Sequence, residues 1–403
     1  MKRRITILST LLAFAALSGC SGKDEEGTAP ADTATAQGAG AAAPAAAAPI
    51  PPPPEIKARS YILIDGDSGR VLAALEPDSR QEPASLTKLM TAYVVFHALK
   101  EGRIKTSDMV TISENAWKQE GSRMFVEVGK QVSVENLIQG MIVQSGNDAT
   151  VALAEHVGGT EATFVQMMNS YAKQLGMTSS HFTNSAGMPD PEHYMTARDA
   201  ATLAAALIRE DPEYYRWYSQ KEFTWNGITQ QNRNGLLWRD PTVDGVKTGH
   251  TETAGYCLIA SAKRDGMRLV SVVLGTDSMR TREDASASLL GYGYNFYETK
   301  RVYAAGQPLT TERVWKGRSP EVGLALKRDL YVTGPRSGAG SVQAQFDLPE
   351  RLIAPLSTGK PVGTVRIVVD GATIATHDIY PTQDVPEGGI FRRAIDSVRL
   401  WFN

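Results

Sequence analysis

The stretch PASLTKLMTAYVVFHALK, residues 83–100, joins a proline-led start to a long run of apolar residues and helix formers. Its length and apolar spacing predict a helix from residue 85 to about residue 100, which stops at Gly102. Ser85 then lies at or near the helix N-terminus, where free N–H groups and the helix dipole favour developing negative charge. Lys88 projects one turn later from the same face. Because a serine hydroxyl becomes nucleophilic only when a base takes its proton, the two residues form a candidate reactive pair.

Two further motifs follow at domain-sized intervals: SGN at residues 145–147 and KTG at residues 247–249. Each motif alone is common, but S-x-x-K, S-x-N and K-T-G in this order are a specific signature of enzymes that acylate a serine. Ser145 closes one helical pattern and Asn147 opens the next, which places both in a loop. A hydroxyl there suits proton relay towards a leaving amine, and an amide suits bonding to a substrate backbone.

The KTG motif immediately precedes an apolar strand that begins near Gly255. A strand edge can pair with an extended peptide, and Gly249 leaves room for close backbone approach. Lys247, brought near by the fold, would supply a positive charge that lowers the pKa of Lys88. The backbone N–H of His250 is a candidate partner for that of Ser85 in an oxyanion hole.

From about residue 58 onward, the chain resembles the low-molecular-mass penicillin-binding proteins, which are serine-type D-alanyl-D-alanine carboxypeptidases. The resemblance is carried by four stretches: SLTKLMT at 85–91, SGNDA at 145–149, NRNGLLW at 232–238 and VDGVKTGHT at 243–251. It implies an α+β fold with a penicillin-binding/β-lactamase-like transpeptidase domain, built from an antiparallel sheet and a helical cluster. A small all-β domain and a C-terminal amphipathic helix follow that domain in the family.

The resemblance also implies roles for the site residues. Ser85 would be acylated, Lys88 would be its base, and Ser145 and Lys247 would assist proton transfer. Thr248 and Arg282 would hold the terminal carboxylate of the substrate, with Arg233 as a second candidate, since a guanidinium pairs with a carboxylate in a bidentate manner. The partners implied are peptidoglycan stem peptides ending in D-Ala-D-Ala and β-lactam antibiotics, with no cofactor and no metal.

Four other functions are alternatives to this one. An endopeptidase that cuts peptidoglycan cross-links would need the same residues, so the sequence separates it poorly. A class A β-lactamase needs a glutamate to activate water, and Glu222 lies too close to the KTG motif for the lactamase order. A non-catalytic wall-binding or penicillin-sensing protein is disfavoured by the intact Ser85 and Lys88. A zinc peptidase is disfavoured because the six histidines form no H-E-x-x-H motif.

Composition narrows the class of protein. The 403 residues carry a formal net charge of −2, so the protein lacks the excess of positive charge that is typical of nucleic-acid binding. Hydrophobic residues make up 42% of the chain. Apart from the N-terminus, no apolar run is long enough to span a bilayer. Strand patterns flank a helical middle section between residues 58 and 300, which predicts an α+β domain with one antiparallel sheet.

The N-terminus predicts an address signal and a tether. Residues 1–20 combine a basic start, a short apolar run and a final LSGC, which resembles the lipobox of bacterial lipoproteins with Cys20 as the lipidated residue. Residues 21–57 are rich in Ala and Pro and predict a disordered tether. We therefore expect a lipoprotein on the periplasmic or cell-envelope side. Ser21 permits sorting to an outer membrane, whereas a C-terminal membrane helix favours the inner one, so the sequence leaves the choice open.

The C-terminal part of the chain contains two further sequence patterns. Residues 301–383 alternate short β-branched runs with Gly, Pro and Asp turns, which predicts a small all-β domain. Residues 384–403 place Phe391, Val398 and Trp401 at helical spacing opposite several arginines, which predicts an amphipathic helix. Such a helix either lies in a membrane interface or packs on the protein's own surface.

Overall fold

The computed structural model describes residues 2–7, 50–336, 342–369 and 371–402. They divide into two compact units, residues 52–300 and residues 301–402, and strand β1 (Lys2–Ile7) groups with the second. Cys20 and residues 8–49 of the predicted leader and tether lie outside the described residues. Among those that are described, no helix is both long and apolar enough to cross a membrane.

The first unit is built on a five-stranded antiparallel sheet with the order β3-β2-β10-β9-β8. The strands of this unit, including two short hairpins outside the sheet, are β2 (Ser60–Asp65), β3 (Val71–Leu75), β4 (Met109–Thr111), β5 (Gln131–Ser133), β6 (Glu222–Trp225), β7 (Ile228–Gln231), β8 (Val243–Thr251), β9 (Gly255–Arg264) and β10 (Met267–Thr276). The sheet pairs the chain's first strands with strands about two hundred residues later, as in β2 against β10. Strands β2 and β3 form a hairpin.

Most helices of this unit lie in the chain between β3 and β8, and one follows β10. They are α1 (Lys88–Lys100), α2 (Glu114–Trp117), α3 (Val134–Val143), α4 (Asn147–Gly158), α5 (Glu161–Gln174), α6 (Ala197–Glu210), α7 (Pro212–Tyr215), α8 (Leu236–Arg239) and α9 (Met279–Phe296). Ser133, Thr160 and Thr196 cap α3, α5 and α6. Each side chain accepts a hydrogen bond from the backbone N–H of the residue three positions later. The α+β arrangement expected from the sequence is therefore confirmed.

Helix α1 is buried on all sides, as expected for a helix that is apolar all round. Leu89, Met90 and Phe96 are fully enclosed, and each contributes roughly 1.5–3 kcal/mol by leaving water. The prediction of one helix from residue 85 needs one adjustment, because residues Ala84–Thr87 form a 3-10 turn ahead of α1. This central position makes α1 a rigid mount for the side chains at its start.

The strand predicted to begin near Gly255 is confirmed, and the KTG motif that precedes it lies in a further strand that was not predicted. The motif lies inside β8, which is the edge strand of the five-stranded sheet and pairs on one side only, with β9. The strand that begins at Gly255 is β9, its neighbour. Because one side of β8 is unpaired within the sheet, its free backbone groups are open to an added strand.

The second unit is an all-β domain followed by a helix. Its elements are β11 (Tyr297–Tyr303), β12 (Pro308–Trp315), β13 (Glu321–Ala325), β14 (Leu330–Pro335), β15 (Val342–Pro349), β16 (Leu352–Ile353), β17 (Gly363–Val369), β18 (Ala372–Pro381) and α10 (Ile390–Phe402). A seven-stranded sheet runs in the order β1-β15-β17-β18-β13-β12-β16, in which β17 and β18 pair as a hairpin. Side chains such as Phe346, Val365 and Ile379 form its own apolar core.

Candidate functional site

The 3-10 turn Ala84–Thr87 presents Ser85 beside Lys88. Ala84 has a φ of 47°, a left-handed conformation that is strained for a residue with a Cβ atom. Lys88 is 1% exposed, and its Nζ donates hydrogen bonds to Ser85 Oγ at 3.0 Å and to the carbonyl oxygen of Ala186 at 2.7 Å. Ser85 itself is partly exposed. The reactive hydroxyl can therefore meet a substrate while its neighbouring amine is kept away from bulk water.

The environment of Lys88 makes its amine a usable base. The pKa of Lys88 is lowered to about 7, mainly by burial and also by the positive charge of Arg233, whereas Asp148 acts in the opposite direction. Burial disfavours the charged form because the ammonium loses its hydration. At neutral pH a substantial fraction of Lys88 is thus unprotonated and can accept the Ser85 proton.

Ser145 and Asn147 occupy the tight connection between α3 and α4. Ser145 has a φ of 61°, and its Oγ accepts a hydrogen bond from Lys247 Nζ at 3.0 Å. Asn147 donates through Nδ2 to the carbonyl oxygen of Glu120 at 2.6 Å, while its buried Oδ1 has no partner among the described residues. An unpaired buried acceptor is costly, so this oxygen is suited to an incoming N–H group.

Lys247 links the second motif to the third. Its Nζ also donates to the carbonyl oxygen of Thr248 at 3.2 Å. Burial holds the pKa of Lys247 well below its usual range, and the positive charges of Lys88, Arg233 and Arg282 add to that effect. The two lysines are therefore close enough to influence each other, and each lies next to a serine hydroxyl.

Strand β8 approaches the Ser85 turn through Gly249. A Cβ atom at Gly249 would lie 2.9 Å from the carbonyl oxygen of Pro83 and 3.4 Å from the Cβ of Ala84. No side chain fits there without a shift, which is why this position takes glycine. His250 is exposed on the same strand and its ring lies 4.0 Å from that of Tyr256. The structure thus brings all three motifs together.

The two candidate arginines are held differently. Arg282 is 2% exposed, and its guanidinium donates to the carbonyl oxygens of Gly249 at 3.3 Å, Cys257 at 3.4 Å and Arg233 at 3.3 Å. The guanidinium of Arg233 has no hydrogen-bond partner among residues 50–336, and burial lowers its pKa although the residue as a whole is exposed. Its charge acts on both Lys88 and Lys247. Arg233 is therefore the freer of the two cations.

Sequence reasoning missed Asp148, which directly follows Asn147. Its carboxylate accepts hydrogen bonds from the backbone N–H groups of Met124 at 2.9 Å, Phe125 at 2.8 Å and Val126 at 3.2 Å. It thereby ties the segment around residues 120–126, which supplies the Glu120 carbonyl to Asn147, to the start of α4. The only sequence signal was its place inside the SGNDA stretch.

Sequence reasoning also missed the carbonyl of Ala186, because a backbone acceptor leaves no mark on residue identity. Cys257 is buried as a free thiol, and burial raises its pKa. No cluster of metal-ligating side chains occurs in the described parts of the chain.

Comparisons with known proteins agree with this geometry. A family model for D-alanyl-D-alanine carboxypeptidase (peptidase S11) matches residues 46–278, and a model for the penicillin-binding protein 5 C-terminal domain matches residues 297–387. The D-alanyl-D-alanine carboxypeptidase DacA of Haemophilus influenzae is 47% identical over 348 residues, 85% of this chain and 88% of that protein. DacA of Escherichia coli is 44% identical over 357 residues, 87% of this chain and 89% of that protein.

The solved structures give the same picture. The crystal structure of penicillin-binding protein 5 from Haemophilus influenzae matches with a TM-score of 0.75 and 47% identity, covering 83% of this chain and 99% of that one. The carboxypeptidase DacD from Francisella tularensis matches with a TM-score of 0.67 and 34% identity, covering 85% and 97%. Both matches extend over most of the two chains compared.

Proposed function

We propose, given that the chain belongs to the peptidase S11 family of D-alanyl-D-alanine carboxypeptidases, that Ser85 is the nucleophile with which it removes the terminal D-alanine from peptidoglycan stem peptides. The observation that carries this assignment is the 3.0 Å approach of Lys88 Nζ to Ser85 Oγ, in surroundings that lower the pKa of Lys88 to about 7. The enzyme is a hydrolase that acts on the cell envelope.

In the proposed acylation step, neutral Lys88 takes the Ser85 proton as Oγ attacks the carbonyl carbon of the penultimate D-alanine. The oxyanion that forms is bound by the backbone N–H groups of Ser85 and His250. Ser145, hydrogen-bonded to Lys247 at 3.0 Å, passes a proton to the departing amine. Terminal D-alanine leaves, and water then hydrolyses the acyl-enzyme.

The substrate backbone is proposed to add to the open edge of β8, as in β-augmentation. This places the stem peptide between the edge strand and Asn147, whose unpaired Oδ1 would accept a substrate N–H. The terminal carboxylate is proposed to meet Thr248 and Arg233. Arg282 is proposed to support this site without contacting the carboxylate, since its guanidinium donates hydrogen bonds to the carbonyl oxygens of Gly249 and Arg233.

The test is intact-mass detection of a penicilloyl adduct, mapped by digestion, together with release of D-alanine from a D-Ala-D-Ala tripeptide. We expect one adduct on the peptide that carries Ser85 and none in Ser85→Ala. Ser122→Ala is the matched control, since it removes a nearby hydroxyl outside the motifs. An adduct at full stoichiometry in Ser85→Ala would refute the assignment. Muropeptide digests separate loss of terminal D-alanine from conversion of dimers to monomers.

We also propose that α10 lies in a membrane interface. The helix docks on the β domain through its polar side: Asp396 accepts from the N–H of Lys316 at 2.7 Å, and Arg351 donates to the carbonyl oxygen of Leu400 at 3.0 Å. Its apolar side is turned outward, with Phe391 89% and Trp401 91% exposed. This inverted placement supports a membrane surface as the partner of the apolar side.

The third proposal is a lipid on Cys20, which becomes the N-terminus when the leader residues before it are removed, with residues 21–57 as a tether to the domain at 58–300. In such a mature protein strand β1 would be absent, and β15 would be the edge of the seven-stranded sheet. Metabolic labelling with a radioactive fatty acid tests the proposal: label should appear in the wild type and vanish in Cys20→Ala. Fractionation of the labelled protein would show which membrane holds it.

A further inference from the structure

The ring of His193 lies between two segments that meet at Lys88. His193 is 2% exposed, and its Nε2 lies 2.8 Å from the hydroxyl oxygen of Thr87. On the other side of the ring, the backbone N–H of Thr183 donates to Nδ1 at 3.1 Å. Because an amide N–H is always a donor, Nδ1 carries the lone pair and the proton is on Nε2. Nε2–H therefore donates to Thr87.

The same two segments carry the donor and the acceptor of a hydrogen bond at the candidate base. Lys88 follows Thr87 directly, and its Nζ donates to the carbonyl oxygen of Ala186, three residues beyond Thr183. Thr91 Oγ1 donates to the carbonyl oxygen of Ser185 at 2.7 Å in parallel. Residues 183–187 thus hold the start of α1 through hydrogen bonds. His193 is hydrogen-bonded both to this segment, at Thr183, and to the 3-10 turn, at Thr87.

The 3-10 turn and residues 183–187 are closely packed against each other. Gly187 has a φ of 85°, and a Cβ atom there would lie 1.8 Å from the carbonyl oxygen of Ala84 and 2.7 Å from Thr87 Oγ1. The His193 ring also makes an edge contact with Phe182, with centroids 5.7 Å apart. Burial lowers the pKa of His193 to about 4, so the ring stays neutral and keeps Nδ1 as an acceptor. Because the ring is fixed in this way, it holds the 3-10 turn and residues 183–187 at a set distance from each other.

We propose that His193 is a positioning residue for acylation: its neutral ring clamps Thr87 to the backbone at Thr183 and so sets Lys88 against Ser85. This inference rests on the proposed roles of Ser85 and Lys88. His193 contacts neither β8 nor Asn147 through any hydrogen bond of the described residues, so substrate binding does not depend on it. Its loss should therefore slow the chemical step and leave KM unchanged.

The experiment compares four single variants and the double variant His193→Leu with Thr87→Val, each normalised by titrating active sites with penicillin. His193→Leu and Thr87→Val break the clamp from its two ends, whereas His193→Gln keeps an acceptor and a donor in one side chain. His181→Gln is the matched control, because the ring of His181 hydrogen-bonds to the carbonyl oxygen of Glu192 and to neither Thr87 nor Thr183. The readouts are kcat and KM on a D-Ala-D-Ala tripeptide and the rate of penicillin acylation at Ser85.

We expect His193→Leu and Thr87→Val to lower kcat and the acylation rate per titrated site about 10-fold or more, since small misplacements of a catalytic group cost up to about 100-fold. KM should stay within about twofold, His193→Gln should recover most of the rate, and the double variant should be no slower than His193→Leu because both changes break one interaction. His181→Gln should match the wild type.

An unchanged kcat per titrated site in His193→Leu, with the adduct still on Ser85, would overturn the positioning role and leave the proposed function standing. A fall confined to the titratable fraction would show a purely structural role and overturn it equally. Absence of any Ser85 adduct in the wild type would remove both proposals together.

Discussion

Lys247 donates a hydrogen bond to Ser145 across 3.0 Å, although 102 residues separate them in the chain. The contact joins the edge strand β8 to the loop between α3 and α4. It repeats, at a second place, the relationship of Lys88 to Ser85, a buried amine 3.0 Å from a serine hydroxyl. In the proposed mechanism, one of these two pairs takes a proton and the other returns it.

The rate of penicillin acylation should rise with pH through a midpoint near 7 and then level off. Lys88 accepts a proton only in its neutral form, and burial lowers the pKa of Lys88 to about 7. Below the midpoint the rate should fall about 10-fold per pH unit, as expected for one essential base. Stopped-flow acylation between pH 5.5 and 9 measures this profile, and a flat profile would contradict the role of Lys88.

Arg233→Gln should move that midpoint to higher pH. The positive charge of Arg233 lowers the pKa of Lys88, so its removal favours the charged amine. Arg239→Gln is the matched control, because the Arg239 guanidinium is paired with Glu283 and Asp284. A midpoint that moves equally in both variants would count against a direct effect of Arg233.

Arg233→Gln should also reduce the preference for a terminal carboxylate. The comparison is kcat/KM for a D-Ala-D-Ala tripeptide against its C-terminal amide, measured at pH 8.5 so that Lys88 is neutral. A charge-assisted hydrogen bond of about 1.5–3 kcal/mol corresponds to a loss of roughly 10- to 100-fold in that ratio. Arg282→Gln should weaken both substrates alike, because its hydrogen bonds go to three backbone carbonyls. A selective loss in Arg282→Gln would assign the carboxylate to Arg282 instead.

Asp148→Asn should destabilise the protein by about 2–4 kcal/mol, since a carboxylate that accepts several backbone N–H groups is replaced by an amide with one acceptor oxygen. Its bonds to Met124, Phe125 and Val126 hold the segment that positions Asn147. Denaturant unfolding measures the change. Asp265→Asn, at an exposed turn with a φ of 49° that asparagine tolerates, should stay within about 0.5 kcal/mol. Equal stabilities for the two variants would remove this role.

Phe391→Ser and Trp401→Ser should each weaken binding to phospholipid vesicles about 10-fold or more, because each removes an aromatic side chain worth roughly 1.5–3 kcal/mol when buried. Ile374→Ser is the control, an exposed apolar residue on β18 that is 44% accessible. Sedimentation with phosphatidylglycerol-containing vesicles measures the partition. Unaltered binding in both aromatic variants would show that α10 serves another partner.

Residue identity and short-range spacing were enough for much of the fold. The hairpins β2–β3 and β17–β18 carry their turn signals in a few consecutive residues, and the apolar run of α1 has the length of a helix. The KTG motif does precede the strand that begins at Gly255, but its own strand, β8, was not predicted because polar and apolar residues do not alternate regularly along VDGVKTGHT. Boundaries of this kind depend on pairing with β9.

The sequence by itself determined the three motifs and their order, since these are facts of residue type and local spacing. Only the tertiary structure decided that Lys247 reaches Ser145 and that α10 turns its apolar side outward. It also decided that the Ala186 carbonyl bonds to Lys88 and that the His193 ring bonds to Thr87. The physical reason is that distances and desolvation depend on segments a hundred residues apart being packed together. A pKa of about 7 for Lys88 is a property of that packing, because the same lysine on a free chain would remain charged.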